Sequence, residues 1–238
     1  MIDMHTHILP ELDDGSSSVD ESRNMLDMLL KQDVDTIVAT PHFYIDINNI
    51  GEFLEKRTES INKLMSNIGD IKRPQIALGA EVQFCHELYS MENIEKLCIS
   101  GTRYMLVEMP FSQWTNYTYK NLSKLYMVKG IMPIVAHIER YLDYQEEPDF
   151  EVVKRLKEAD ALIQMNSSFL VSRTTRRRAL ALIKKGLINF LGSDCHNMAM
   201  RPPKLRDGFD VIYEKVGESG LDAFAYWEEK LKDRIETI

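Results

Sequence analysis

The sequence predicts an α/β fold: a distorted seven-stranded (β/α) TIM-like barrel with a helical carboxyl-terminal tail, built as one domain over residues 1–238. Three observations predict it. Short apolar runs rich in Ile, Val and Leu recur along the chain with amphipathic helical patterns between them, the signature of βαβ units and a parallel sheet buried on both faces. Each run leads into a histidine, a carboxylate or an amide: His7, His42, Glu81, Glu108, His137, Asn166 and His196. The gaps between these residues are 35, 39, 27, 29, 29 and 30 positions, about one βα unit each. An open doubly wound sheet feeds its site from two or three strands, whereas a barrel lets every strand converge at the carboxyl edge. Seven contributing strands favour the barrel.

The first strand is expected at residues 2–7. Ser18 and Glu21 then have capping-box spacing and open a helix whose apolar stripe is Met25, Leu26, Leu29 and Leu30. Strands follow at 36–39, 75–78, 104–107, 133–136, 161–164 and 189–192, with helical stripes at 53–65, 121–128, 150–156 and 176–183. A glycine, aspartate or proline closes each helix before the next strand. Beyond residue 200 the pattern is helical, at 205–216 and 221–235, with no eighth strand.

Composition bounds the function. With 44% hydrophobic and 28% charged residues, the 238-residue chain can bury a core, which excludes disordered, collagen-like and coiled-coil classes. A net charge of −8 argues against holding nucleic acid by a basic surface or resting on anionic lipid. No apolar run approaches the ~18 residues of a membrane span. The opening residues lack the basic and apolar regions of a secretion signal. Cys85, Cys98 and Cys195, odd in number and widely spaced, make no disulfide framework. A cytoplasmic protein without nucleic-acid partner or membrane insertion is expected, its oligomeric state left open.

Five of the six histidines fall at the strand ends. His5 and His7, two apart on a strand, face one side, into the barrel, and Asp194 and His196 repeat that spacing on the last strand. Glu81 and Glu108 end other strands, and Asp14 lies in the turn after the first. A single such histidine reads as a hydrogen-bonded core residue. Nine converging residues, His5, His7, Asp14, His42, Glu81, Glu108, His137, Asp194 and His196, do not. Four carboxylates buried without counter-ions would cost several kcal/mol each, and no matching lysines are placed there. A metal site follows. Nine candidates exceed the capacity of one six-coordinate ion, so two or three divalent ions are expected. Nitrogen and oxygen donors without thiolate suit Mn, Fe or Zn, and the carboxylate share leans to Mn or Fe. Three such ions against four carboxylates leave about +2, a site for an anion that also lowers the pKa of a bridging water and clamps phosphoryl oxygens.

Arg140 and Arg201, beside these residues in sequence, are expected to fork onto phosphate oxygens, against the plainer reading of a surface pair with Glu139 or Asp143. With His42 they form the expected catalytic set. Arg173 and Arg176-Arg177-Arg178 read as a solvated helix face. Aromatics after strand ends (Phe43, Tyr44, Phe84, Phe111, Trp114, Tyr117, Tyr119, Phe169) form either a ring-gripping rim or loop packing. Cys195 and Arg201 match the Cys-x5-Arg spacing of thiolate phosphatases, but the segment lacks the glycines that bring backbone N–H groups around a phosphate. The match reads as coincidence.

The ordered segments Ile2-Asp3-Met4-His5-Thr6-His7-Ile8-Leu9-Pro10, Asp13-Asp14-Gly15, Ala39-Thr40-Pro41-His42, Gly79-Ala80-Glu81, Val107-Glu108, Ala136-His137-Ile138-Glu139-Arg140 and Gly192-Ser193-Asp194-Cys195-His196 resemble the PHP (polymerase and histidinol phosphatase) superfamily over about the whole chain. Within it they resemble the metal-dependent bacterial protein tyrosine phosphatases of capsule and exopolysaccharide systems, the CpsB/CapC type. The resemblance implies the PHP fold, a three-metal centre and hydrolysis of phosphotyrosine on the tail of a tyrosine autokinase of polysaccharide export. It implies His5, His7, Glu81 and Asp194 around one metal, Glu81, Glu108 and His137 around a second, and Asp14, His42 and His196 around the third. Glu11, Phe43 and the segment 44–50 depart from the pattern, which touches the substrate rim. Three rivals are a small-molecule phosphatase such as histidinol phosphatase, a metal-dependent amidohydrolase, which usually places a bridging lysine at a strand end, and a degenerate scaffold, which would have lost a ligand.

Overall fold

A computed structural model describes residues 1–69 and 72–238. The strand segments are β1 (Ile2–Thr6), β2 (Thr36–Ala39), β3 (His42–Phe43), β4 (Gln75–Leu78), β5 (Glu81–Gln83), β6 (Tyr104–Glu108), β7 (Met132–Val135), β8 (Leu162–Asn166) and β9 (Phe190–Gly192). The helices are α1 (Val19–Lys31), α2 (Ile50–Ile68), α3 (Asn116–Lys129), α4 (Asp149–Glu158), α5 (Ser167–Val171), α6 (Arg176–Lys184), α7 (Leu205–Val216) and α8 (Asp222–Lys232). Ser18 caps α1 as expected, its Oγ accepting the Glu21 N–H at 3.2 Å.

All named strand pairs are parallel, in the orders β1-β2-β4 and β3-β5-β6-β7-β8-β9. The sequence expects seven strands closed into a barrel; the structure instead has nine strand segments in two parallel ladders that curl. Thr40-Pro41 separates β2 from β3, and Gly79-Ala80 separates β4 from β5. Proline brings no N–H to a ladder, so pairing slips there. Gly79 N–H still reaches Ala39 O at 2.8 Å and Glu81 N–H reaches Pro41 O at 3.0 Å, so the breaks lie side by side. Arg57 of α2 donates to Gly79 O at 2.5 Å, holding the kink from outside. The sheets curl until the first and last strands approach: Asp194 N–H bonds His5 O at 2.8 Å and His7 N–H bonds Cys195 O at 2.9 Å.

Alternation along the strands makes two apolar layers. One lies between the sheet and the helices, where Ile37, Val107, Val135 and Ile163 of the strands share a cluster with Leu26 and Leu29 of α1. The other lies inside the curl and includes Ile2, Met4, Val38, Leu106, Ile134 and Phe190. The predicted tail is not peripheral. Leu231 of α8 is fully buried in the inner layer, with Trp227 and Ile235 packed beside it, so the helix closes the amino-terminal end of the curl. The chain then returns to the sheet, where Ile238 N–H bonds Ile76 O at 2.9 Å.

Candidate metal centre

A bulge in β1 aims the two leading histidines. Asp3 pairs with Ile37 and Thr6 with Ala39, so Met4 and His5 together oppose Val38. Strict alternation from Ile2 and Met4 would turn His5 and His7 outward; the extra residue puts both inside with Val38. Asp3 accepts the backbone N–H of His5 at 3.3 Å and of Ser193 at 2.8 Å, tying the bulge to the last strand. His42 and Glu81 begin β3 and β5 just after the two breaks and are register partners. Glu108 ends β6, opposite Gln83. His137 and Asp194 follow their strands with φ of 28° and 53°, backbone uncommon for residues with a side chain, as often occurs at functional sites. The last strand stops at Gly192, so Asp194 and His196 do not share a regular strand as expected. Cys195 between them is fully buried, and burial raises its thiol pKa, which leaves the thiolate-phosphatase pattern without a nucleophile.

The structure brings all nine predicted residues together. Glu81 is the hub: its Oε2 lies 3.1 Å from His5 Nε2, 3.4 Å from His7 Nε2 and 3.0 Å from His42 Nδ1, and its Oε1 is 2.7 Å from His137 Nε2. Asp14 Oδ1 is 3.4 Å from both His42 Nε2 and His196 Nε2. Asp194 Oδ1 is 3.5 Å from His5 Nε2, and Glu108 Oε1 is 3.8 Å from His137 Nε2. Donor atoms within 4.8 Å of one another form three groups: His7, Asp14, His42 and His196; His5, His7 and Glu81; His42, Glu81 and Glu108. The family-implied partition differs, since here His7 joins the Asp14 group and His42 joins both Asp14 and Glu108.

The packing suits ions better than hydrogen bonds. His5 Nε2 and His7 Nε2 face each other at 3.0 Å. The buried His42 Nδ1 and His196 Nε2 have no hydrogen-bond partner despite the nearby carboxylates, so these atoms surround shared points rather than each other. Burial, then the neighbouring His7, pushes His196 down to about 4, keeping the neutral imidazole that ligates metals. Burial opposes charge on Glu81 and Asp194, yet the histidines, and for Asp194 also Arg140, hold both carboxyls below their ordinary range. Burial and the Glu81 charge raise Glu108. Burial also pulls on His7, but hydrogen bonds to Asp13 and Glu81 lift it to about 10.

Several orienting residues escaped the sequence reading. Asp13 bonds His7 Nδ1 at 2.7 Å and accepts His42 N–H at 3.0 Å, fixing one ring's tautomer and the next strand's start. Gln164 Oε1 accepts His137 N–H at 2.6 Å and lies 3.4 Å from His5 Nδ1. Its Nε2 donates to Asn166, which donates to Asp194. An inward-facing Gln two residues before Asn166 was the available signal. Arg140 and Arg201 pair with neither Glu139 nor Asp143. Both guanidinium groups lie on Asp194, Arg201 Nη2 at 2.6 Å, with side chains 36% exposed at the mouth. The aromatic group divides: Phe43, Phe84, Trp114, Tyr119 and Phe169 are buried packing, while Phe111 and Tyr117 are exposed and Tyr44 stacks on His42 at 5.1 Å.

A curled parallel sheet that gathers imidazoles and carboxylates at its carboxyl edge defines the class of metal-dependent α/β hydrolases. Among the described residues no lysine forms an ion pair with these carboxylates, unlike the amidohydrolase arrangement. The chain belongs to the CpsB/CapC family: the family model described as capsular polysaccharide synthesis, CpsB/CapC, matches residues 1–229. It is 33% identical over 236 residues to the tyrosine-protein phosphatase CpsB of Streptococcus pneumoniae, covering 91% of each chain. It is 28% identical over 222 residues to the tyrosine-protein phosphatase YwqE of Bacillus subtilis, covering 91% and 85%. A crystal structure from work on YwqE and CpsB, described as metal-dependent tyrosine phosphatases, superposes with a TM-score of 0.80 at 26% identity, covering 100% of this chain and 97% of that one. Histidinol phosphate phosphatase from Lactococcus lactis, at 14% identity and a TM-score of 0.56 over 90% and 92% of the chains, shares the fold.

Proposed function

We propose that this protein is a metal-dependent phosphomonoesterase acting on phosphotyrosine in a protein, the tail of a bacterial tyrosine autokinase of capsule or exopolysaccharide export being the substrate the family favours. The observation that carries the reading is the Glu81-centred cluster, with two arginines at its mouth, in a chain of the CpsB/CapC family. The nine strand segments act as the seven staves of a barrel in one unit of residues 1–238. No helix among the described residues is long and apolar enough to cross a membrane. The three cysteines are free, which suits a reducing cytoplasm.

His5, His7, Asp14, His42, Glu81, Glu108, His137, Asp194 and His196 would hold two or three divalent ions, manganese first and iron or zinc next. When bound, the ions supply Lewis acidity and a nucleophilic water at neutral pH. The chain's own groups do the rest. Arg140 and Arg201 leave Asp194 to fork onto the phosphoryl oxygens, offsetting the charge that builds as the ester bond breaks. Asp13 and Gln164 hold the His7 and His5 rings so that their outer nitrogens face inward. Tyr44, stacked on His42 at the rim, and the exposed Tyr117 and Phe111 offer faces to the substrate ring. Metal uptake at pH 7 would displace the proton held by His7, and the expected proton release is measurable by titration calorimetry in buffers of different ionisation heat.

The deciding experiment is phosphate release from a phosphotyrosyl peptide by chelator-stripped protein, before and after Mn²⁺ is restored. Activity only after restoration is expected. Silence in both states, with small phosphate monoesters cleaved, would replace the reading with a small-molecule phosphatase.

A further inference from the structure

Between Asp160 and Asp194 the chain has no acidic residue, although it carries 37 elsewhere and a net charge of −8. The same stretch holds Arg173, Arg176, Arg177, Arg178, Lys184 and Lys185. Arg178 is neutralised by Asp143 and Asp149. Arg173, Arg177 and Lys184 are exposed and, among the described residues, have no carboxylate partner. Spacing of three to four residues puts Arg177, Leu180, Ala181 and Lys184 along one flank of α6, with Arg173 in the turn just before it, while Ala179, Leu182 and Ile183 face the core. With Arg176 they line a groove of about 400 Å³ with an aliphatic floor and a cationic wall.

The groove is rigidly joined to the metal centre. Arg176 donates to Leu170 O and Val171 O, closing the carboxyl end of α5. That helix starts directly after Asn166, which bonds Asp194, and its first residue, Ser167, bonds Lys204 O three residues beyond Arg201. Unpaired cations on an otherwise acidic protein mark where an anionic chain can approach without repulsion. No large apolar side chain from residue 161 to 193 is exposed, so the face lacks what a membrane-surface helix inserts.

We propose that this groove docks an acidic stretch of the phosphoprotein substrate, flanking the phosphotyrosine that enters the metal centre. The proposal rests on the tyrosine-phosphatase reading. It is tested with metal-loaded protein, two phosphotyrosyl peptides of equal length with Asp/Glu-rich or uncharged flanks, and p-nitrophenyl phosphate. Arg173→Glu combined with Arg177→Glu is expected to raise KM for the acidic peptide roughly tenfold with kcat unchanged. KM for the neutral peptide and p-nitrophenyl phosphate stays as in the parent, and the preference fades as salt is raised. Lys56→Glu on α2 serves as a reversal on another face and leaves all three unchanged. Equal KM for both peptides in the parent protein overturns the proposal, as does an equal loss on all three substrates. Anisotropy of the labelled acidic peptide reads docking without turnover: binding that the reversal abolishes supports the groove even if neither peptide is hydrolysed. Loss of binding to phosphatidylserine vesicles with peptide affinity intact would reassign the face to lipid and sink the proposal.

Discussion

The two ends of the curled sheet are made by the same strands and are opposites. At the amino-terminal end Ile2, Met4, Phe190 and Leu231 are buried against one another, and α8 seals them from water. At the carboxyl end the same curl holds imidazoles and carboxylates, two broken strands, a bulge and two residues with positive φ. Apolar burial at about 25 cal/mol per Å² stabilises the first end. The second contributes little by itself, since its charges lose hydration and gain only each other. One end holds the fold and the other gathers the candidate metal ligands.

The division is broken most strongly by removing a cluster residue. His42→Ala or Asp194→Ala should abolish turnover, a loss of about 10³-fold or more, with chain folding retained. Steady-state phosphate release with circular dichroism checks both halves of that statement, and an inactive but unfolded variant would refute it. At the opposite end Leu231→Ala should cost about 2–5 kcal/mol in urea denaturation while the folded fraction keeps its kcat. A large fall in kcat there would show that the two ends are not separable.

Gly192→Ala tests where they meet. A Cβ at Gly192 would sit 2.7 Å from His5 Cβ and from Gln164 Nε2, neither free to retreat. About 1–3 kcal/mol of destabilisation is expected, together with weaker metal binding by the stripped protein. Asp35 anchors the sealing helix from outside. Burial opposes its charge, but Lys232 and its other donors hold it down to about 2. A depressed carboxyl stabilises above its ordinary pKa and stops doing so as pH falls through 2. Asp35→Asn should therefore cost about 0.5 kcal/mol at pH 7, small because the pair is half exposed, and the gap to the parent should close between pH 4 and 2 in acid unfolding. Cys195→Ser should change turnover least. A dead variant with its full metal complement would revive thiolate chemistry.

Residue type and spacing alone determined much of this protein. Strand-end residues at βα intervals announced a parallel sheet, and histidines and carboxylates recurring at those ends announced a candidate metal site. These properties are local or periodic, so one dimension suffices to read them. Tertiary structure decided what depends on contacts between distant segments. His5 and His7 face inward because of a bulge opposite Val38, which alternation by itself would not place. Glu81 is the hub because the breaks at Thr40-Pro41 and Gly79-Ala80 lie side by side with Arg57 behind them. Arg140 and Arg201 meet on Asp194 rather than on their sequence neighbours. The predicted tail became a seal because Leu231, Trp227 and Ile235 found an apolar opening that exists only once distant strand segments have curled together.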